Sequence, residues 1–287
     1  MFFQLLINSL IAGAIYSLVA AGFSLIYSVC KFVHFAHGAV IAFGGYLLYL
    51  FFSSLKLSFG ISVLLTVVCT SLLGFLMNLV VYKKLRQRKA SNTIFLIAGF
   101  AILILFESLI LIFWGADVKS IGLIKISKGI ELGEAIITPL QVVIIFVSLL
   151  LLLLFFVFMK KTKIGKAMRA VADNKDVAEI VGISAEKIYS WSFIIGSVIA
   201  GIAGILVGLE QNLEPTMGTS LMVKGFTAAI VGGVESVPGA ILGSFLLGFA
   251  ENFGIWFLPS GYKDAIAFIV LFIFLLFKPR GILGIKR

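Results

Sequence analysis

Apolar stretches of about 20 residues follow one another along almost the whole chain. A helix of that length crosses the ~30 Å hydrocarbon core of a bilayer, so each stretch predicts one membrane span. Because 61% of the 287 residues are hydrophobic and only 13% are charged, little polar sequence remains for a separate soluble domain. The predicted spans lie near residues 5–27, 33–52, 59–81, 93–114, 136–159, 191–209, 239–257 and 265–277, with a shorter apolar piece at 221–231.

These spans predict an all-α integral membrane protein, a polytopic bundle of about eight transmembrane helices plus a short broken or re-entrant helix. We expect a single transmembrane domain over residues 1–287 in the cell (inner or plasma) membrane, surrounded by lipid. Small residues recur at four-residue spacing at Ala200, Gly204 and Gly208 and again at Gly239 and Gly243. Such spacing predicts close helix contact within one subunit, with dimerisation of subunits as the alternative.

Basic residues predict the orientation of the chain. The net charge of +10 does not indicate a nucleic-acid partner, because basic residues that border apolar spans set membrane topology. One face, predicted to be cytoplasmic, holds 17 of the 23 Lys and Arg residues, at Lys31 and within 83–89, 160–187 and 278–287. The other face holds Lys56, Lys224, Lys263 and the loop at 117–134. A cytoplasmic C-terminus then requires the piece at 221–231 to count as a crossing.

The segment at about 160–190 is the one sizeable polar module, and it lies on the predicted cytoplasmic face. Its residues predict a helix from Gly165, a bend, and a second short helix that Asp173 or Asn174 caps. Gly182 ends this second helix in a left-handed turn. Ser184 caps a third helix, which continues directly into a membrane span.

An apolar stripe marks one side of the second short helix. Val177, Ile180 and Val181 follow the i, i+3, i+4 spacing of a single helix face. Such a helix can dock in a groove of a protein partner or lie flat on anionic lipid. The acidic residues Asp176 and Glu179 favour docking, because an interfacial helix normally has a basic polar face.

Two glycine-rich segments stand at comparable places in the two halves, at 34–46 and 224–243. Paired helix interruptions of this kind are typical of a substrate path, where unwound backbone offers N–H and C=O groups to a solute. The alternative is that the glycines form kinks with a purely structural role. His37, at the beginning of the second span, either binds a carboxylate or gates a passage, or it is a neutral residue that forms a hydrogen bond with a neighbouring carbonyl. The candidate path residues are Phe35, His37, Gly38, Gly44, Gly45, Gly232, Gly233, Pro238 and Gly239.

Two acidic residues lie inside predicted spans. A charge at a helix centre costs ~2.5–3.5 kcal/mol on insertion scales, so Glu107 and Glu251 should face the protein interior. They are either proton relays or hydrogen-bonded structural residues. Since the sequence offers no facing basic residue, the structural role is favoured.

The sequence lacks the motifs of the common catalytic sites. It has no His-Glu-x-x-His and no Gly-x-Ser-x-Gly, and its two His residues are too few for most metal sites. Gly165-Lys166 also lacks the glycine five residues earlier that a phosphate-binding loop requires. We therefore expect no enzyme activity, no metal site and no cofactor in this chain; any ATP and Mg²⁺ are used by other subunits.

Four regions resemble the permease subunits of branched-chain amino acid ABC importers. They are FAHG at 35–38, GKAMRAVADNKDVAEIVGI at 165–183, KGFTAAIVGGVESVPGAILGSFLLGFAE at 224–251 and FKPRGILG at 277–284. Their order and spacing agree along essentially the whole chain. The resemblance implies a second, related permease subunit, two cytoplasmic ATP-binding subunits and an extracytoplasmic substrate-binding protein.

The resemblance also carries residue roles. It matches Gly165, Arg169, Ala170, Asp173, Asn174, Ala178, Gly182 and Ile183 to the ATPase-contacting loop, to which the stripe adds Val177 and Ile180. It matches Phe35 to Gly38 to the first-half motif, and Gly232, Gly233, Pro238 and Gly239 to the second. His34 departs from the family, where Asn is common.

The resulting hypothesis is a permease that imports leucine, isoleucine and valine by alternating access, driven by ATP hydrolysis on separate subunits. One alternative is a related permease for urea or short amides. Another is a secondary transporter that protons drive through Glu107 or Glu251, and a third is a membrane scaffold that transports nothing.

Overall fold

The computed structural model describes residues 2–123, 129–133 and 135–284. Within these residues, seven helices are long and apolar enough to cross a membrane, or up to eight if a bent helix pair counts as one span. The predicted polytopic helical fold is therefore confirmed. The helices are α1 (Phe2–Cys30), α2 (His37–Leu48), α3 (Phe59–Met77), α4 (Lys83–Gln87), α5 (Asn92–Trp114), α6 (Pro139–Lys161), α7 (Lys163–Asp173), α8 (Lys175–Ile180), α9 (Ala185–Glu210), α10 (Met217–Gly232), α11 (Val237–Gly254) and α12 (Lys263–Phe277).

Short irregular helices extend three of these elements. A π-helix at Tyr49–Ser54 continues α2, and another at Asn78–Tyr82 joins α3 to α4, so that the latter span reaches from Phe59 to Gln87. A 3₁₀ turn at Ser260–Tyr262 precedes α12 and brings that span to 18 residues.

The segment between α5 and α6 contains two strands that the sequence analysis did not predict. Strands β1 (Ile130–Leu132) and β2 (Ala135–Ile137) pair antiparallel, with Ile130 opposite Ile137. The predicted loop at 117–134 lies partly outside the described residues.

The chain divides into two compact units. The first comprises Met1–Ser24, Gly122–Leu151 and Val223–Arg287, and the second comprises Leu25–Ile121 and Leu152–Met222. The single domain over 1–287 stays a prediction.

Small residues bring the helices of the second unit into close contact. A Cβ atom added at Gly44 of α2 would lie 2.6 Å from the carbonyl oxygen of Gly201 in α9. A Cβ atom added at Gly204 would meet the carbonyl oxygen of Ile41. In lipid, the hydrophobic effect does not drive helices together. Van der Waals contact between closely spaced backbones stabilises the helix pair instead. The predicted packing of Gly204 within one subunit is confirmed, whereas the packing of Gly44 was not predicted.

Contacts within the first unit show beside which end of α1 the end of α11 and the C-terminal segment lie. The rings of Phe2 and Phe253 are 5.5 Å apart, so the start of α1 lies beside the end of α11. At the opposite end of α1, the Ser24 hydroxyl donates a hydrogen bond of 2.8 Å to the carbonyl of Val234. The backbone of Gly284 contacts Gly233, so the C-terminal segment lies at that opposite end too. This arrangement agrees with the predicted topology.

Candidate functional site

Two side chains shape the polar module of the second unit. Thr162 precedes α7, and its hydroxyl accepts a hydrogen bond of 3.0 Å from the backbone N–H of Gly165. The side chain of Asn174 accepts hydrogen bonds from the N–H groups of Asp176 and Val177, at 3.0 and 3.1 Å. Asn174 is therefore the N-cap of α8, as predicted. The first helix begins at Lys163, two residues earlier than expected.

The apolar stripe of α8 is open to solvent. Val177, Ile180 and Val181 are 55%, 84% and 69% exposed, whereas Ala178 is buried against the unit. Arg169 and Asp173 also lie on the exposed surface of the module. A cluster of exposed apolar side chains on a charged element indicates a contact site for another molecule, whereas scattered exposed apolar residues do not.

The module is tied closely to the helices on either side. Gly165 packs so tightly that an added Cβ atom would lie 2.5 Å from the carbonyl oxygen of Phe158. Gly182 has a φ of +86° and forms the predicted left-handed turn after α8. Ser184 occupies the N-cap position of α9 as predicted, but its side chain makes no capping hydrogen bond.

A polar cluster fixes the start of α9 to α4 and to the π-helix before it. The guanidinium of Arg86 donates two hydrogen bonds to the carboxylate of Glu186, at 2.9 and 3.1 Å, and a third of 2.7 Å to the Asn78 side chain. It also lies 4.7 Å from the ring centroid of Tyr189. Sequence reasoning missed this cluster because Arg86 was counted only as an orientation signal. The available signal was Asn78, a polar residue inside an apolar span.

The first glycine-rich segment is not a broken helix. α2 begins at His37 and runs through Gly44 and Gly45 to Leu48 without interruption. An added Cβ atom at Gly38 would lie 2.6 Å from the carbonyl oxygen of Gly218, and Gly45 similarly approaches a side chain of the same unit. The predicted interruption is therefore wrong, because these glycines permit helix contact and leave their backbone groups inside the helix.

The polar part of this segment lies before the helix. The Nδ1 atom of His34 is 2.9 Å from the hydroxyl of Tyr82, and the ring stacks edge-on against Phe193. Burial, aided by the nearby His37, lowers the pKa of His34 well below its usual range. His34 is therefore neutral inside the folded protein at pH 7.

The candidate residue Phe35 and the neighbouring Phe43 each pack against another ring. Phe35 stacks on Phe100 with ring centroids 4.3 Å apart, and Phe43 meets Phe106 edge-on at 4.9 Å. His37 is fully buried in the same unit. The assignment of Phe35 and His37 to a substrate path stays a prediction.

The second glycine-rich segment does contain a helix break. α10 ends at Gly232, α11 begins at Val237, and the two axes are bent by 114°. Gly233 has a φ of +115°, a conformation that side chains other than glycine rarely adopt. Pro238 lies in the first turn of α11, where its missing N–H costs nothing, and the Ser236 hydroxyl accepts from the N–H of Gly239 at 3.2 Å.

The C-terminal segment binds to this break. The N–H of Ile282 donates to the carbonyl of Val231 at 3.0 Å, and the N–H of Leu283 donates to that of Gly232 at 2.8 Å. These carbonyls belong to the last turn of α10, which has no partners within its own helix. The FKPRGILG motif thus completes the broken helix, a role that its sequence did not reveal.

Glu251 has the basic neighbour that the sequence analysis did not find. Its Oε2 atom accepts a hydrogen bond of 2.7 Å from the hydroxyl of Tyr16, and its Oε1 atom lies 3.8 Å from Nζ of Lys224. The side chain of Lys224, a residue predicted on the outer face, is only 14% exposed. From its position inside α10, Lys224 forms a second polar cluster with Glu251 and Tyr16.

This buried ion pair contributes little net stability. Opposite charges about 4 Å apart attract by ~4 kcal/mol at an effective dielectric constant of about 20. Removing both ions from water costs several kcal/mol as well, so the two effects largely cancel. Stability alone does not explain why Lys224 and Glu251 face each other here. Glu107, in the second unit, accepts a hydrogen bond from the Thr219 hydroxyl instead.

These features define a multi-pass helical membrane protein with one exposed apolar module and a broken helix. The chain belongs to the family described as branched-chain amino acid transport system / permease component, whose profile matches residues 5–275.

Full-length relatives agree with this assignment. The chain is 31% identical to the high-affinity branched-chain amino acid transport system permease protein BraD of Pseudomonas aeruginosa, over 99% of this chain and 96% of that one. It is also 31% identical, with the same coverage, to the permease protein LivH of the corresponding system in Escherichia coli. Among solved structures, PsaBC from Streptococcus pneumoniae in complex with Fab has a similar fold, with a TM-score of 0.54, 15% identity and coverage of 96% and 93%.

Proposed function

We propose that this chain is the permease subunit of an ATP-binding-cassette importer that carries leucine, isoleucine and valine across the cell membrane. The observation that carries the proposal is the full-length likeness to two proteins named as branched-chain amino acid permeases. The chain then moves a solute and catalyses no reaction. It binds no cofactor, and ATP and Mg²⁺ are used by its partners.

The partners of the proposed importer are of three kinds. A second, related permease subunit pairs with this chain in the membrane, and a substrate-binding protein delivers the amino acid from outside. The importer has two ATP-binding subunits, one of which docks on the cytoplasmic module of this chain, with the exposed stripe of Val177, Ile180 and Val181 as the contact. An apolar stripe of this size seated in a groove is a common way to anchor a helix to a partner.

Motion of the ATP-binding subunits reaches the membrane through α8 and α9. The two helices are separated only by the tight turn at Gly182, so displacement of the module moves the start of α9. The Arg86–Glu186 pair, with N–O distances of 2.9 and 3.1 Å, passes that displacement to α4 at the end of the span that begins with α3. Alternating access follows when the two permease subunits respond together.

Uptake by the assembled importer tests this function. The chain, its permease partner and the ATP-binding subunits are reconstituted in proteoliposomes with the binding protein outside and ATP inside. We expect uptake of radiolabelled leucine that isoleucine and valine inhibit and that persists after the proton gradient is dissipated. Uptake that needs the gradient and not ATP supports the proton-driven alternative instead. Inhibition by urea or acetamide, but not by valine, favours the amide permease.

Substitutions in the stripe test the docking surface. We expect Val177→Asp and Ile180→Asp each to weaken binding of the ATP-binding subunits at least tenfold, because a buried charge in an apolar groove costs more than ~1.4 kcal/mol. Co-purification from detergent and the rate of leucine uptake measure the effect.

Val118→Asp is the matched control. Val118 and Val177 are both 55% exposed, but Val118 lies on the predicted outer face. This variant should keep its ATP-binding subunits. If all three variants retain them equally, the stripe is not the docking surface.

A further inference from the structure

A polar cluster inside the first unit joins three helices and the start of a fourth. Lys224 of α10 and Glu251 of α11 face each other, and Tyr16 of α1 contacts both: its hydroxyl donates to Glu251, and its ring centroid lies 5.6 Å from Nζ of Lys224. Asp264 at the start of α12 lies 3.0 Å from the same Nζ atom. The cluster therefore holds one basic and two acidic side chains.

The hydrogen bonds of Glu251 are incomplete. Oε2 is satisfied by Tyr16 at 2.7 Å. Oε1 is fully buried and accepts no hydrogen bond from any residue that the structure describes. Its nearest cation, Nζ of Lys224, is 3.8 Å away, beyond the 2.7–3.2 Å range of an N–H···O hydrogen bond. A buried carboxylate oxygen in this state offers a place for a further N–H donor.

The cluster runs from the interior of the unit toward solvent. Glu251 is 1% exposed and Lys224 14% exposed, whereas the side chain of Asp264 is 65% exposed. Asp264 lies in the first turn of α12, on the predicted outer side of the membrane. A small cationic group arriving from outside therefore meets an accessible carboxylate before it reaches the buried one.

We propose that Lys224 and Glu251 form a binding site for the charged end of a free α-amino acid. The ammonium group donates to Oε1 of Glu251 and the carboxylate accepts from Nζ of Lys224. The zwitterion replaces one ion pair by two, so no buried charge is left unpaired. This inference rests on the proposed function and deepens it, because it places the recognition of the amino and carboxyl groups in the permease.

The same chemistry separates the possible substrates. Urea and short amides are neutral, so they cannot separate Lys224 from Glu251 without leaving two buried charges poorly paired. An α-amino acid can separate Lys224 from Glu251, because its ammonium and carboxylate groups pair with both side chains. The site thus favours amino acids over the amide alternative while imposing nothing on the aliphatic side chain.

The double variant Lys224→Met/Glu251→Met separates binding from structure. A buried ion pair that serves structure alone can be replaced by apolar residues of similar volume with little loss. We expect this variant to assemble with its partners and hydrolyse ATP but to take up leucine at least tenfold more slowly. The matched control is Lys119→Met/Asp117→Met, which removes another ion pair, with an N–O distance of 3.6 Å, and should leave uptake unchanged.

The outcomes distinguish this inference from the function it rests on. If the parental importer takes up no leucine, the proposed function fails. If the parental importer is active and the Met/Met variant transports leucine at the parental rate, the ion pair is structural and the inference is overturned.

A second measurement needs no variant. The thermal midpoint of the purified parental protein is measured with L-leucine, with 4-methylpentanoate, which lacks the ammonium group, and with 3-methylbutylamine, which lacks the carboxylate. A ligand that binds only the folded state raises the midpoint. We expect leucine alone to do so. Equal shifts with all three compounds, or no shift with leucine, overturn the proposal.

Discussion

The two glycine-rich segments each contain a Gly-Gly pair but differ in structure. In the first, Gly44 and Gly45 lie within an unbroken helix and let α2 approach α9. In the second, Gly233 adopts a φ of +115° between two helices bent by 114°. Glycine content alone therefore does not predict a broken membrane helix.

The residues around each glycine account for the difference. After Gly233 the chain has Ser236, which caps the next helix, and Pro238, which suits its first turn. These signals end one helix and begin another. The segment around Gly44 and Gly45 has no residue of either kind, so the helix continues and the glycines serve packing.

The largest expected effect is at the break. Gly233→Ala places a side chain at a φ of +115° and a Cβ atom 2.8 Å from the backbone nitrogen of Gly284. Strain and crowding together should lower the free energy of unfolding by ~2–4 kcal/mol. Thermal unfolding in detergent measures the stability, and leucine uptake should fall below a tenth. A stable, active variant would contradict both the break and the role of the C-terminal segment.

A smaller effect is expected in the unbroken helix. Gly44→Ala brings a Cβ atom to 2.6 Å from the Gly201 carbonyl oxygen without backbone strain, so overpacking should cost ~1–3 kcal/mol. The matched control is Gly60→Ala in α3, where an added Cβ atom meets nothing within 4 Å. This control should be neutral or more stable by up to ~1 kcal/mol, since alanine favours helix. Equal thermal midpoints for the two variants would show that Gly44 is not a packing glycine.

The smallest effect concerns the polar residues before α2. Burial lowers the pKa of His34, so the unfolded chain binds a proton that the folded protein excludes. Stability should therefore fall as the pH drops below about 6.5, by at most ~1.4 kcal/mol per pH unit from this group. His34→Asn should reduce that slope, and its loss of the contacts with Tyr82 and Phe193 should lower stability by the same amount at both pH values. Thermal midpoints at pH 5.5 and 8 measure it, and identical slopes in both proteins would contradict the prediction.

Local signals in the sequence predicted a large part of this structure. The spans follow from apolar length, and the cap at Asn174 and the turn at Gly182 follow from single residues. The pairing of distant side chains did not follow. Lys224 meets Glu251, and Arg86 meets Glu186, because helix packing brings together residues that lie far apart in the sequence. A basic residue inside a span was the one sign that Lys224 needs a buried partner.

The contact between the C-terminal segment and α10 also has a consequence for synthesis. The carbonyls of Val231 and Gly232 receive their hydrogen bonds from Ile282 and Leu283, fifty-one positions later in the chain. Translation proceeds from the N-terminus. The hydrogen bonds at the end of α10 therefore form only after the ribosome has released nearly the whole polypeptide. A truncated product that stops before Ile282 would carry an open helix end into the membrane, and cellular quality control would have a structural mark by which to recognise it.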